Sequence, residues 1–291
     1  MKIIPSYLTI LFLFPNFIKY FKALFIIMLF LIYNLQTKGI IIMKIFDAHF
    51  HIIDFNFPIK ENNGYMPPSF TTRDYLTRTQ DLDIIGGAVV SGSFQGFDQG
   101  YLEDALNKLD GKFVGTTQLP MTTSDVEIHR LNTLGIKGIR FNVKRGGSED
   151  ISKLKEFSQR VYDLVGWHTE IYIESKKLAD YKDVILQLPQ VSIDHLGLTK
   201  EGFEDLKDLV RQGAYVKATG FGRIEVDSFS AIQELININP NAVMFGTDLP
   251  STRANRPFNE EDIQLIQNNF NQGIQERIFY KNALEFYRLS E

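Results

Sequence analysis

The feature that most restricts the fold of this chain is a regular alternation of short apolar runs and longer amphipathic runs from Met43 to the C-terminus. Short apolar runs indicate buried strands, and longer runs with apolar residues three or four apart indicate helices. Eight strand-helix pairs follow one another, and strands separated by helices lie parallel. Eight units in about 249 residues match the length of a (β/α)8 barrel. We therefore predict an α/β fold, a single-domain TIM barrel over residues 43–291. A doubly wound open sheet is the alternative, but it seldom needs eight such regular units.

The predicted strands cover residues 44–48, 84–91, 113–119, 136–143, 167–174, 191–194, 215–219 and 242–247. Two helix starts have recognisable caps. Thr71 or Thr72 can cap the first helix, and Ser124 with Glu127 three residues later forms a capping box for the third. Two helices, predicted over residues 259–270 and 274–289, close the chain.

Residues 1–42 differ from the rest of the chain, because they hold four lysines and no acidic residue. Two apolar runs lie here, one broken by Pro5 and Pro15 and one ending near Tyr33. Neither reaches the roughly 18 to 20 residues that span a bilayer, and no signal-peptide cleavage site follows either run. We therefore expect the functional protein to begin at Met43 and to be cytoplasmic, with residues 1–42 as a separate apolar extension. A membrane tether is the alternative.

The composition narrows the classes of ligand and partner. The chain has no cysteine, which excludes disulfides and thiolate metal sites, so a metal would be held by His, Asp or Glu. The formal charge is −4, and −8 for residues 43–291 once the four lysines of the extension are set aside, which argues against nucleic-acid binding. The oligomeric state cannot be read from the sequence.

The first strand ends in a histidine pair within the segment Asp47-Ala48-His49-Phe50-His51. Because strand residues alternate between faces, Asp47, His49 and His51 are expected to point the same way. Neutral imidazole is a common metal ligand and a general acid or base near neutral pH. The pair therefore predicts a site that holds a metal or polarises a carbonyl, although two solvated histidines on a strand give the same pattern.

Polar side chains end most of the other predicted strands, where a barrel of this type places its chemistry. His195 follows the sixth strand, and Asp248 follows the eighth beside Gly246, which leaves room for it. The other two histidines have structural explanations, since His168 begins the fifth strand at the opposite end of the barrel and His129 lies on a helix. The strand-end groups include Ser91, Gln118, Arg140, Asn142, Glu174, Asp194, Lys217 and Thr219.

Six segments in order resemble the amidohydrolase-related family, and most of all its branch of pyrone-dicarboxylate and sugar-lactone hydrolases. They are Asp47 to His51, Gly138 to Asn142, Ile193 to Gly197, Val216 to Gly220, Phe245 to Asp248 and Asn282 to Leu284. The resemblance covers residues 43–291. It implies a (β/α)8 hydrolase whose site is formed by His49, His51, His195 and Asp248, either around one divalent metal or by a metal-free mechanism. It also implies that Arg140, Arg145 and Tyr172 contact the substrate.

The sequence departs from that branch at two places. Leu198 stands where the lactonase pattern has arginine, and Leu249-Pro250-Ser251 replaces an aromatic-Pro-His run. Both changes argue against a pyrone-dicarboxylate substrate and leave the hydrolytic core intact.

We therefore predict a hydrolase that opens a lactone or similar cyclic ester. Asp248 is the expected general base, and the three histidines polarise the carbonyl directly or through one ion, with Zn or Mn suited to these ligands. A decarboxylase of the same superfamily and a non-catalytic ligand-binding barrel are the alternatives. Arginines at positions 140, 145 and 223, with Lys144, predict a small anionic substrate, unless Arg140 pairs internally with a carboxylate such as Glu174.

Overall fold

The structure is a computed structural model that describes residues 43–290, and the expectations for residues 1–42 lie outside them. Eight strands are present and each is followed by a helix, which confirms the predicted TIM barrel. The strands are β1 (Ile45–Phe50), β2 (Ile84–Val90), β3 (Lys112–Thr117), β4 (Ile136–Asn142), β5 (His168–Tyr172), β6 (Val191–Ile193), β7 (Tyr215–Ala218) and β8 (Val243–Phe245).

The helices cover the outside of the sheet. They are α1 (Thr72–Arg78), α2 (Gly100–Lys108), α3 (Asp125–Thr133), α4 (Leu154–Val165), α5 (Leu178–Ile185), α6 (Phe203–Arg211), α7 (Ser228–Ile238), α8 (Glu260–Asn269), α9 (Gln272–Glu276) and α10 (Asn282–Tyr287). A π-helical turn, Arg277–Lys281, joins the last two. Among residues 43–290, none of these helices is both long and apolar enough to cross a membrane.

The strands pair in chain order, and each ladder from β1 to β8 is parallel. Backbone bonds just beyond β8 join it to β1. The amide of Asp248 donates to the His49 carbonyl at 2.7 Å, and the amide of His51 donates to the Leu249 carbonyl at 2.7 Å. These bonds close the sheet, so the open-sheet alternative is wrong, and they bring the ends of β1 and β8 together.

Two predicted helix caps are present, but only one is complete. Thr71 caps α1 and exchanges hydrogen bonds with Asp74, which makes a full capping box. Ser124 accepts from the Glu127 amide at 3.2 Å, but the Glu127 carboxylate binds Arg130 instead of returning the bond. The predicted box at α3 is therefore half formed, because a guanidinium on the next turn competes for the carboxylate.

The lower end of the barrel is closed by the last helix. The ring of His168 packs 4.3 Å from that of Phe286, centroid to centroid, and its Nε2 lies 3.1 Å from Glu170 Oε1. Asn282 donates to the carbonyls of Pro240 and Val243 at 3.0 and 2.9 Å. His168 is thus structural, as predicted, whereas His129 is exposed on α3.

Candidate active site

His49, in β1, and His51, directly after β1, are buried at the catalytic end of the barrel, with ring centroids 5.0 Å apart. His51 Nδ1 lies 2.6 Å from the Val90 carbonyl, so this nitrogen carries the proton and donates. Its Nε2 is then left with a lone pair, 3.8 Å from Asp248 Oδ1. An imidazole held by a backbone carbonyl in this way is oriented as metal-binding histidines are.

Asp47 was expected to share the face of the two histidines, but its carboxylate accepts hydrogen bonds from other parts of the barrel. It accepts from the Thr247 amide at 2.8 Å, the Thr247 hydroxyl at 2.6 Å and the Tyr75 hydroxyl at 3.1 Å. Burial raises the pKa of Asp47 to about 6, and these hydrogen bonds oppose the rise. Asp47 therefore fixes β1 against the segment that presents Asp248.

His195 and Asp248 both lie on sharp turns directly after their strands. Each has a left-handed backbone, with φ of +53° at His195 and +58° at Asp248, a conformation that costs energy for residues other than glycine. Gly246 is needed beside them, because a Cβ there would lie 2.7 Å from the His49 amide nitrogen. The turns swing both side chains back toward His49.

The arrangement brings together imidazole nitrogens and one carboxylate oxygen. His49, His195 and Asp248 each offer an atom, and the three atoms lie within 4.8 Å of one another. Asp248 Oδ1 is 3.9 Å from His49 Nε2, and the His49 and His195 ring centroids are 4.9 Å apart. Three of the four predicted ligands thus form one group, and His51 faces the same carboxylate oxygen.

These atoms fit a divalent ion by their chemistry. Within residues 43–290, both ring nitrogens of His49, Nδ1 of His195 and Oδ1 of Asp248 are buried without a hydrogen-bond partner. Buried polar atoms are rarely left unpaired, so the cluster has the character of a ligand site. A mixture of imidazole and carboxylate suits Zn or Mn.

Burial sets the protonation states. It lowers the pKa of His51 to about 3, and it lowers those of His49 and His195 well below the usual range. Burial raises the pKa of Asp248 to about 6, while the guanidinium of Arg223 lowers it. Near neutral pH the imidazoles are therefore neutral and Asp248 is anionic, as ligands or a general base require.

Arg140 is a buried, fully engaged cation. Its Nε and Nη2 donate to Asp194 Oδ2 at 3.1 and 2.7 Å, and its Nη1 donates to the Ser91 carbonyl at 2.7 Å. The guanidinium of Arg140 is thus paired internally, as the alternative prediction had it. The suggested partner is wrong, because Glu174 pairs with Lys144 at 3.0 Å instead. Arg140 still borders the pocket, where it stacks on Tyr172.

A pocket opens above the cluster and is rich in positive charge. Arg145, Tyr172 and Arg223, all predicted to contact substrate, line it beside His51 and His195. Arg223 donates to Asp248 Oδ2 and to the Thr252 carbonyl. Among the described residues that line this pocket there are four arginines and no carboxylate.

The fourth arginine, Arg253, is not among the site residues predicted from the sequence. Arg253 lies on the loop after β8, donates to Asn62 Oδ1 at 3.1 Å and stacks 4.4 Å from the ring centroid of Tyr65. Its only signal in the sequence is a position five residues after Asp248. A second omission is Glu170 in the middle of β5, whose Oε2 lies 2.6 Å from Nζ of the buried Lys217. A charged residue inside an otherwise buried strand was the signal for it.

The sequence of this chain is similar to those of known proteins. A family model described as amidohydrolase matches residues 46–289. The 2-pyrone-4,6-dicarboxylate hydrolase of Comamonas testosteroni is 30% identical over 156 residues, or 52% of this chain and 51% of that protein. The 4-sulfomuconolactone hydrolase of Rhizobium radiobacter is 26% identical over 224 residues, or 70% of this chain and 75% of that protein. The match thus spans only about half the length of the Comamonas protein.

Solved structures share the fold. A probable 2-pyrone-4,6-dicarboxylic acid hydrolase from Acinetobacter baumannii, with citric acid bound, has a TM-score of 0.74 at 21% identity, covering 85% of this chain and 100% of that one. An amidohydrolase 2 from Bifidobacterium longum subsp. infantis has a TM-score of 0.61 at 18% identity, covering 85% and 100%.

Proposed function

This chain belongs to the amidohydrolase family, and we propose that it is a hydrolase that opens a lactone or similar cyclic ester by attack of water. The observation that carries the proposal is the Asp248 carboxylate, whose Oδ1 is free of hydrogen bonds within residues 43–290 and faces His49 and His51 under a cationic pocket. The relatives named as hydrolases of a pyrone dicarboxylate and a sulfomuconolactone support this reaction class.

In this mechanism Asp248 is the general base. Arg223 holds its Oδ2, so Oδ1 is the oxygen that takes the proton from the attacking water. A neutral imidazole N–H of His49 or His195 can donate to the carbonyl oxygen as negative charge develops there. The ring C–O bond of the resulting tetrahedral adduct then breaks, the protonated Asp248 returns the proton to the departing ring oxygen, and the opened hydroxy acid or its tautomer is released. In the alternative with a metal, His49, His195 and Asp248 would hold one divalent ion, which would supply Lewis-acid polarisation of the carbonyl.

The four arginines favour an anionic substrate. Asp194 pairs with Arg140 and Asp248 pairs with Arg223, but within residues 43–290 no carboxylate pairs with the guanidinium of Arg145 or Arg253, which leaves two cations at the pocket for an anionic group. The names of the two curated relatives both denote acidic lactones, which supports the same substrate class.

A screen of lactones with a pH-indicator readout tests the proposed activity. Ring opening releases acid, whereas a decarboxylase releases CO2, so measuring both products separates the two enzymes. Absence of turnover for any ester or acid, with ligand binding that does not depend on Asp248, would identify a binding protein instead.

Replacement of Arg145 by methionine tests the substrate class. A charge-assisted contact contributes about 1.5 to 3 kcal/mol, so Arg145→Met should lower kcat/KM for a carboxylated lactone by about ten- to a hundred-fold. A neutral lactone with the same ring should be almost unaffected. Equal losses with both substrates would show that Arg145 does not recognise an anionic group.

The metal content of the purified protein gives a second prediction. We expect about one Zn or Mn per chain, without a sulfur ligand, and Zn is favoured on purification because it binds nitrogen and oxygen sites more tightly. Elemental analysis before and after chelation measures it. Less than about 0.1 ion per chain with full activity would favour the metal-free mechanism.

The pH dependence of kcat/KM gives a third prediction. Only the anionic form of Asp248 accepts a proton, so kcat/KM should fall about tenfold per pH unit below about pH 6. Arg223→Met removes a cation that lowers the pKa of Asp248, and it should therefore move this acid limb to higher pH. Arg145→Met is the control and should leave the limb in place. An acid limb that does not move in Arg223→Met would remove Asp248 as the titrating group.

A further inference from the structure

A second group of buried ligand atoms lies deeper in the barrel and shares His49 with the candidate active site. One atom each from His49, Glu170 and Asp194 lie within 4.8 Å of one another, and all three residues are fully buried. His49 Nδ1 is 3.5 Å from Asp194 Oδ1, and neither atom has a hydrogen-bond partner within residues 43–290. Two carboxylates and an imidazole make a donor set that divalent cations bind. Judged by its ligands alone, this inner group would give the protein a second metal position.

A buried lysine already forms an ion pair with a carboxylate of the inner group. Lys217 Nζ lies 2.6 Å from Glu170 Oε2 in a close ion pair, and both side chains are fully buried. The other oxygen of Glu170 accepts from the hydroxyls of Tyr287 and Thr116 at 2.8 and 3.0 Å, and it lies 3.1 Å from His168 Nε2. Burial alone would raise the pKa of Glu170, but Lys217 and then His168 lower it to about 2. The Lys217 ammonium therefore lies beside the ionised Glu170 carboxylate, which is the group that a second cation would need as a ligand.

The inner group is neutral without any metal. The carboxylate of Asp194 is paired with Arg140, and that of Glu170 with Lys217. A divalent ion added here would leave two uncompensated positive charges in a sealed interior, where burying even one unpaired charge costs several kcal/mol. The outer group is also neutral, since Arg223 pairs with Asp248, but it borders the open pocket, where water and an anionic substrate can offset the charge of an ion.

We propose that the Lys217 ammonium takes the place of a second cation and so restricts the protein to one divalent ion, held by His49, His195 and Asp248. Lys217 is a positioning residue, because it does not ligate the ion itself. It acts by occupying the Glu170 carboxylate that a second ion would need as a ligand. The inference rests on the metal centre in the proposed function and is independent of which bond the enzyme breaks.

Replacement of Lys217 by methionine tests the proposal on the full-length protein. Methionine keeps most of the side-chain length but removes the charge and vacates the Nζ position. The chelated protein is titrated with Mn²⁺, which binds adventitious sites more weakly than Zn²⁺ does, and bound ion is counted by elemental analysis. We expect about one ion per chain in the wild type and about two in Lys217→Met, where His49 would ligate both ions as an imidazolate after releasing its ring proton to solvent.

Two control variants separate a new inner site from other effects. Lys182→Met removes the cation shared by Asp205 and Asp208, of which Asp208 still pairs with Arg211, and it should not add an ion. In Lys217→Met/Glu170→Gln the inner carboxylate ligand is gone, and the count should return to about one. This double variant also replaces a buried ion pair by neutral groups, which proteins often tolerate.

Anomalous diffraction from Mn²⁺-soaked crystals then locates the ions. Wild-type crystals should show an ion only at His49, His195 and Asp248, and an ion bound by Glu170 and Asp194 in the wild type would overturn the proposal. A folded Lys217→Met that gains no ion would overturn it as well. If the wild type binds none and Lys217→Met binds one at the inner group, the proposed outer metal centre fails while the role of Lys217 stands. If Lys217→Met does not fold, the wild-type crystals decide.

Discussion

Replacement of Asp248 by asparagine is expected to lower kcat for lactone opening by roughly 10² to 10⁴-fold, because a positioned general base contributes about that much to the rate. Asparagine keeps the size of the side chain and can still accept from Arg223 through its carbonyl oxygen. It cannot take a proton from water near neutral pH. The variant should therefore bind substrate and melt close to the wild-type temperature while turnover is lost.

The measurement is kcat on the best lactone of the screen, with thermal unfolding of both proteins followed by circular dichroism. Asp205→Asn serves as the matched control, since Asp205 lies on α6 and pairs with Lys182 away from the pocket. An Asp248→Asn protein that retains more than about a tenth of wild-type kcat would remove Asp248 as the base.

The second large effect is expected on stability. In Arg140→Met the carboxylate of Asp194 loses the guanidinium that binds it through two nitrogens, and it stays fully buried. Breaking a buried ion pair by removing one partner typically costs about 3 to 5 kcal/mol. We therefore expect the free energy of unfolding, measured by urea denaturation, to fall by about that amount, and activity to fall with it.

A compensating variant distinguishes the two roles of Arg140. Arg140→Met/Asp194→Asn leaves no buried charge behind, so most of the lost stability should return. If Arg140→Met instead loses less than about 1 kcal/mol of stability while kcat/KM falls only for anionic lactones, Arg140 binds the substrate directly.

Several features follow from local sequence alone. The eight strand-helix pairs were predictable because the apolar period of a segment is set by the residues within it. A strand that alternates with a helix is typical of a parallel sheet, and all eight pairs show this alternation. The convergence of His49 and His51 follows from their separation by two residues at the end of β1. The assignment of His168 to the lower end of the barrel follows from its place at the start of β5. Each of these conclusions depends on residues that are near one another in the chain.

Pairing among the strand-end groups was decided by the tertiary structure. Asp47 has the spacing of a site residue, yet Thr247, two hundred positions away, takes its carboxylate. Arg140 pairs with Asp194 and not with Glu174, although both carboxylates follow neighbouring strands.

The physical reason is that a parallel barrel delivers every strand end to the same mouth, so many charged side chains come within reach of each other. Differences of an ångström or two across the barrel then select the partners. Such distances arise from register, closure and turn geometry, as in the left-handed turn at Asp248, and the spacing of residues along the chain does not contain them. The sequence by itself determined which groups meet at the mouth of the barrel, and the closed barrel decided which of them pair and which stay free to act.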